Sequence, residues 1–145
     1  MRARPRLALG LAVAAALGAA AAGGRPARAD RLDGEGYSIA VASPAQARPG
    51  AAVTATVTVT PRAGWKLNTD YPFKLELAPP AGVKVAKPVL RKDDARRYAE
   101  SGADVDVAIT ADKAGPAEVA ATIRFATCDD ATCSVHKVAF AIPLH

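Results

Sequence analysis

The chain has 145 residues, half of them hydrophobic and 5% aromatic, with 19 Lys and Arg against 14 Asp and Glu and only two cysteines. Five of the basic residues (Arg2, Arg4, Arg6, Arg25, Arg28) and none of the acidic ones precede Ala29, so the rest of the chain is electrically balanced. Its overall basicity therefore points to neither nucleic acid nor an anionic membrane, and two histidines, one of them the last residue, leave no Ser-His-Asp arrangement for hydrolysis.

Residues Met1 to Ala29 have a basic start, an apolar run from Leu7 to Ala22 and a small-x-small site at Ala27-Arg28-Ala29. This is the layout of a secretory signal peptide cleaved after Ala29. There is no Arg-Arg pair for a twin-arginine signal and no nearby cysteine for a lipid anchor. The apolar run is also short of the roughly 20 residues that span a bilayer. Residues 30–145 are then a single periplasmic or secreted domain with no transmembrane segment, in an oxidising compartment where paired cysteines are expected to be oxidised.

This domain reads as strand after strand. Tyr37 to Ser43 is a first strand, and Pro44 to Gly50 a turn-rich connection. Val53 to Thr60 places Val53, Ala55, Val57 and Val59 on one face and four threonines on the other, the period of two of a half-buried strand. Trp65 to Asn68 follows a turn, Phe73 to Leu77 alternates again, and Val83 to Val89 ends near Pro88, a residue suited to a strand end or sheet edge. Arg91 to Gly102 is charged, carries Tyr98 as its one aromatic, and reads as a solvated connection or one or two helical turns. Val105, Val107 and Ile109 alternate once more. Seven to eight short antiparallel strands with turns between them predict an all-β sandwich of immunoglobulin type, with Trp65 where such folds often bury a tryptophan.

Chemistry concentrates in Thr127 to His136, T-C-D-D-A-T-C-S-V-H. Val119, Ala121, Ile123 and Phe125 alternate before it, and Val138, Phe140 and Ile142 after it, so Asp129 to Thr132 joins two strands of a hairpin. Apolar faces must coincide when the strands pair. Matching Ile123 to Val138, Ala121 to Phe140 and Val119 to Ile142 sets Cys128 directly opposite Cys133, on the outer face with Arg124 and Lys137. Opposed residues of an antiparallel pair lie about 4.5 to 5.5 Å apart at Cα, within reach of a disulfide.

Such a bond closes a loop of only six residues, which contributes about 2 kcal/mol in the chain-entropy picture, far less than a bond joining distant strands. Three readings stand: an exchangeable redox pair, a structural clip in a non-catalytic binding or accessory module, and a metal site. The spacing C-x4-C-x2-H suggests a ligand set, but parity puts His136 on the face opposite the cysteines, so neither metal nor cofactor is expected. Asp129 and Asp130 disfavour a thiolate, and Arg124 and Lys137 lie about 13 Å down the ladder, so the thiols should not be strongly acidified.

A Pro-Gly turn, a Val/Thr strand, Gly64-Trp65-Lys66-Leu67-Asn68 with Tyr71-Pro72, Pro79-Pro80-Ala81-Gly82-Val83, a polar loop and a late C-x4-C hairpin follow one another in this order. The order resembles the N-terminal periplasmic domain of the thiol:disulfide interchange protein DsbD over roughly Pro44 to Pro143. The resemblance implies an immunoglobulin-like domain in which Cys128 and Cys133 are the catalytic pair, receiving electrons from a membrane reductase and passing them to periplasmic thioredoxin-like or disulfide-containing proteins. It also implies a cap loop over the cysteines, whose counterpart by chain order is Arg91 to Gly102, with Tyr98 as the shielding ring. Two departures stand out. Ser134-Val135-His136 follows the second cysteine where an aromatic or Leu and then prolines are usual, and with the chain ending at His145 the reductant is expected to be a separate protein.

Overall fold

A computed structural model describes residues 29–43 and 48–145. The expected leader through residue 28, and residues 44–47 of the Pro44–Gly50 connection, lie outside these residues. Among the described residues eleven strands are formed: β1 (Ala29–Gly34), β2 (Tyr37–Ala42), β3 (Ala52–Pro61), β4 (Lys66–Leu67), β5 (Lys74–Ala78), β6 (Val83–Val85), β7 (Val89–Arg91), β8 (Arg97–Ala99), β9 (Gly102–Ala111), β10 (Ala117–Cys128) and β11 (Cys133–Leu144). They make two antiparallel sheets. The first runs β1-β2-β3-β9-β6, with β8 also on β9; the second runs β11-β10-β5-β7, with β4 also on β10. This is the immunoglobulin-like β-sandwich anticipated from the alternation. Among the described residues, no helix is long and apolar enough to cross a membrane.

The period of two explains the layering, because each strand sends alternate side chains to opposite faces. Ile39, Val41, Val57, Val59, Val105, Val107 and Ile109 of the first sheet meet Leu75, Leu77, Val119, Ile123, Phe125 and Ile142 of the second in one buried core. The outer face of the first sheet is polar and cross-linked. Thr56 and Thr58 donate to Asp106 and Asp104 across the β3–β9 pair at 2.8 and 2.9 Å. Arg97 and Arg96 pair with the same two carboxylates.

Four local features differ from the sequence reading. β1, unmarked by any apolar alternation, pairs along the whole of β2. The Val83–Val89 stretch divides, since β6 pairs with β9 in one sheet and β7 with β5 in the other, the chain crossing between layers at residues 86–88. The charged segment holds a single 3₁₀ turn at Lys92–Asp94 and then β8, which pairs with β9 around a tight turn at Glu100–Ser101. Gly102 closes that turn with φ of 140°, and a Cβ there would stand 2.4 Å from the Val59 carbonyl, so glycine is required. Trp65 is not a core residue. It is half-exposed in the β3–β4 turn, its ring lying over Gly36, because the volume between the sheets is already filled by Phe73, Phe125, Leu67 and the branched aliphatics.

Candidate functional site

The β10–β11 ribbon has the register derived from its apolar faces: Val119 opposes Ile142, Ala121 opposes Phe140, Ile123 opposes Val138, and Cys128 opposes Cys133. The two cysteines form a disulfide with Cα atoms 4.0 Å apart. Asp129 turns the four-residue loop: its Oδ1 accepts from the amides of Ala131 and Thr132 at 2.9 and 2.7 Å, and its own amide donates to the Thr132 carbonyl at 2.9 Å. That carboxylate is thus engaged in holding the loop.

The sulfurs are not equivalent. Both cysteines lie on the outer face by strand parity, yet Cys133 is exposed while Cys128 retains only 9% of its surface. From Phe125 to Cys128 every residue of β10 is buried, so this end of the strand is covered on both faces. A place on the outer face would leave both cysteines within a partner's reach; the residue exposures bear this out for Cys133 and correct it for Cys128. At this end β4 extends the sheet, with Leu67 paired to Thr127 and Lys66 to Cys128. Its neighbour Asn68 donates its amide to the Ala126 carbonyl at 2.8 Å.

Lys66 is the residue that sequence reasoning missed. Directly paired side chains share a face with Cβ atoms about 4.5 to 5.5 Å apart. The stem of Lys66 therefore starts beside Cys128, whereas Arg124 and Lys137 are four residues away along their strands. A two-residue strand has no periodicity to announce it, so its partner was not legible. The charged segment also reaches this end, since the Leu67 amide donates to the Glu100 carbonyl at 2.9 Å. Tyr98, expected as a shielding ring, packs edge-on against Phe73 with centroids 5.4 Å apart.

His136 lies on the inner face, opposite the cysteines, as its parity required. It pairs with Phe125 in the ladder, its Nε2 is 2.8 Å from Thr127 Oγ1, and its ring contacts Tyr37 and Phe125 at centroid distances of 4.5 and 5.1 Å. Burial holds the imidazole below the ordinary histidine value, the Glu35 carboxylate opposing weakly. A group whose folded pKa is depressed binds its proton more readily in the unfolded chain. Stability should therefore fall as pH drops below about 6.5, the unperturbed value. Urea unfolding at pH 7.5 and 5.5 should show this loss, and His136→Gln should flatten it; an unchanged slope in the variant would assign the loss to other groups.

No family model and no curated protein matches the chain. Among solved structures it is similar to the GAE domain of GGA2p from Saccharomyces cerevisiae, with a TM-score of 0.51, 9% sequence identity, 81% of this chain covered and 100% of the other. At that identity the likeness speaks for the fold, an immunoglobulin-like sandwich. Fold and site together define a two-sheet β domain carrying one disulfide in its last hairpin.

Proposed function

We propose that the domain is a periplasmic thiol:disulfide interchange module in which Cys128 and Cys133 carry two electrons between proteins. The observation that carries this reading is the placement of the disulfide. It spans one tight hairpin whose strands are already paired over twelve residue positions, so it adds little cohesion, and it presents Cys133 to solvent. The resemblance to the DsbD N-terminal domain supports the same reading.

In the oxidised protein a donor thiolate attacks Cys133 Sγ. The Cys128–Cys133 bond breaks, a mixed disulfide forms, and Cys128 leaves as a thiolate. The donor's second thiol then displaces Cys133, leaving the donor oxidised and this domain as a dithiol. In the forward step Cys133 attacks a partner disulfide and Cys128 resolves the intermediate, so that the partner is reduced and the starting disulfide returns. Lys66, opposite Cys128, favours the anionic form of the sulfur that departs in the first step and attacks in the last. The donor in this scheme is a membrane reductase and the acceptors are thioredoxin-like or disulfide-containing proteins. The charged segment, tied to β4 through Glu100, is the candidate cover for Cys128.

A second reading is favoured by one observation: the burial of Cys128 at 9% suits a clip in a non-catalytic immunoglobulin-like binding module. Equilibration against thiol–disulfide buffers separates the two. Interchange requires a potential within about −120 to −270 mV, whereas a value below about −300 mV would establish the clip.

A further inference from the structure

The outer face of the second sheet carries a line of cations. Arg91 of β7 opposes Lys74 of β5, Lys74 opposes Arg124 of β10, and Arg124 opposes Lys137 of β11, so one basic residue stands on each of four consecutive strands. At the usual strand spacing this line is about 14 Å long. Lys66, on the same face beside Cys128, extends the positive region toward the disulfide. Like charges placed directly opposite one another are unfavourable in a sheet.

The first sheet solves the same problem differently, matching Arg96 to Asp106 and Arg97 to Asp104. Here Glu76, ion-paired with Lys74, is the carboxylate set against the line; its pKa is lowered first by the hydrogen bond from Lys74, then by that charge and those of Arg124 and Lys137. Arg124 and Lys137 form no ion pair among the described residues. Glu118 shares the face, but six residues along β10 from Arg124. Between this line and the disulfide stands Val135, 61% exposed, paired with Ala126. Beyond the line, small side chains at Ala120 and Thr122, with Glu76, Ala78 and Val89, line a shallow groove.

We infer that this face docks an acidic protein surface, with the partner's carboxylates on the Arg91–Lys74–Arg124–Lys137 line while its reactive sulfur meets Cys133. The inference rests on the interchange reading and adds the partner's chemistry: carboxylates about 13 Å from its redox sulfur, four residues of extended chain. A protein partner fits better than a polyanion. The cations form a single line interrupted by Glu76, an exposed valine lies between them and the sulfur, and the chain after Ala29 carries no net charge.

The test uses peptides with one cysteine followed, four residues on, by three glutamates, three glutamines or three lysines, and versions of each with serine for cysteine. The serine–glutamate peptide should shift the backbone amide resonances of Lys74, Arg124 and Lys137, the shifts fading in 0.5 M salt and in Arg124→Thr/Lys137→Thr. That variant relieves the like-charge contact and should unfold no more easily than the parent. The cysteine–glutamate peptide should open the Cys128–Cys133 bond, forming a mixed disulfide on Cys133 and releasing Cys128 as the thiolate, about tenfold faster than the glutamine peptide at low salt. Equal shifts from all three serine peptides, or stronger binding of phosphatidylglycerol vesicles than of the glutamate peptide through the same residues, would overturn the inference. Glutamate-specific binding without exchange by any cysteine peptide would support the docking face and sink the interchange reading instead.

Discussion

Cys128→Ser should accumulate a stable mixed disulfide through Cys133, and Cys133→Ser should form one at least about tenfold more slowly, because exchange requires access to the attacking sulfur. The asymmetry follows from the position of the two residues and not from their identity. Cys133 opens β11 on the exposed side of the hairpin, while Cys128 closes β10 where that strand is buried on both faces and flanked by β4. With Cys128 replaced, nothing within the domain can resolve an adduct on Cys133. Oxidised glutathione is a sufficient probe, with intact mass followed over time for both variants. Comparable rates would mean that the cover over Cys128 opens freely, and the order of attack proposed for the two sulfurs would fail.

Phe125→Ala should cost about 3 to 5 kcal/mol in urea unfolding, the range for deleting a buried aromatic side chain. Phe125 is 1% exposed, three residues before Cys128, and meets the ring of Tyr37 from the opposite sheet edge-on at 5.0 Å. It therefore joins the two layers behind the disulfide, and the His136 ring packs against both it and Tyr37. The lost volume is not readily refilled by a rotamer change, since residues of the same core such as Ile39, Val59, Leu67 and Ile123 are themselves fully enclosed. A loss below about 1 kcal/mol would show that this end of the sandwich is loosely packed. The rate at which glutathione attacks Cys133 should rise in the same variant, since the platform behind the ribbon is weakened.

The register of the last ribbon was legible in the amino-acid order, because a slip of one residue would have turned Val138, Phe140 and Ile142 of β11 outward together while β10 faced the core. The opposition of the cysteines and the inward position of His136 came with it. Other features left no such trace. β4 and β8 are two and three residues long, too short for alternation, and owe their existence to the strands they pair with: Thr127 and Cys128, distant in sequence, for one, and Gly102 to Asp104, just across a tight turn, for the other. β1 offers Leu32 alone among polar residues, and is held by backbone pairing to β2. Trp65 was misplaced because size and aromaticity say that a residue will find apolar contact, not that the contact lies between the sheets. The same limit hid Lys66, whose relation to Cys128 exists only in three dimensions.

The passage of the backbone from one layer to the other within residues 86–88 has a mechanical result. The Ala86 amide is bound to Ala108 in the first sheet, while the Pro88 carbonyl is bound by Leu77 in the second, at 3.0 and 2.8 Å. A stitch this short has no slack, so neither lamina can slide past its mate without tearing its own edge. Melting should accordingly take both in a single step.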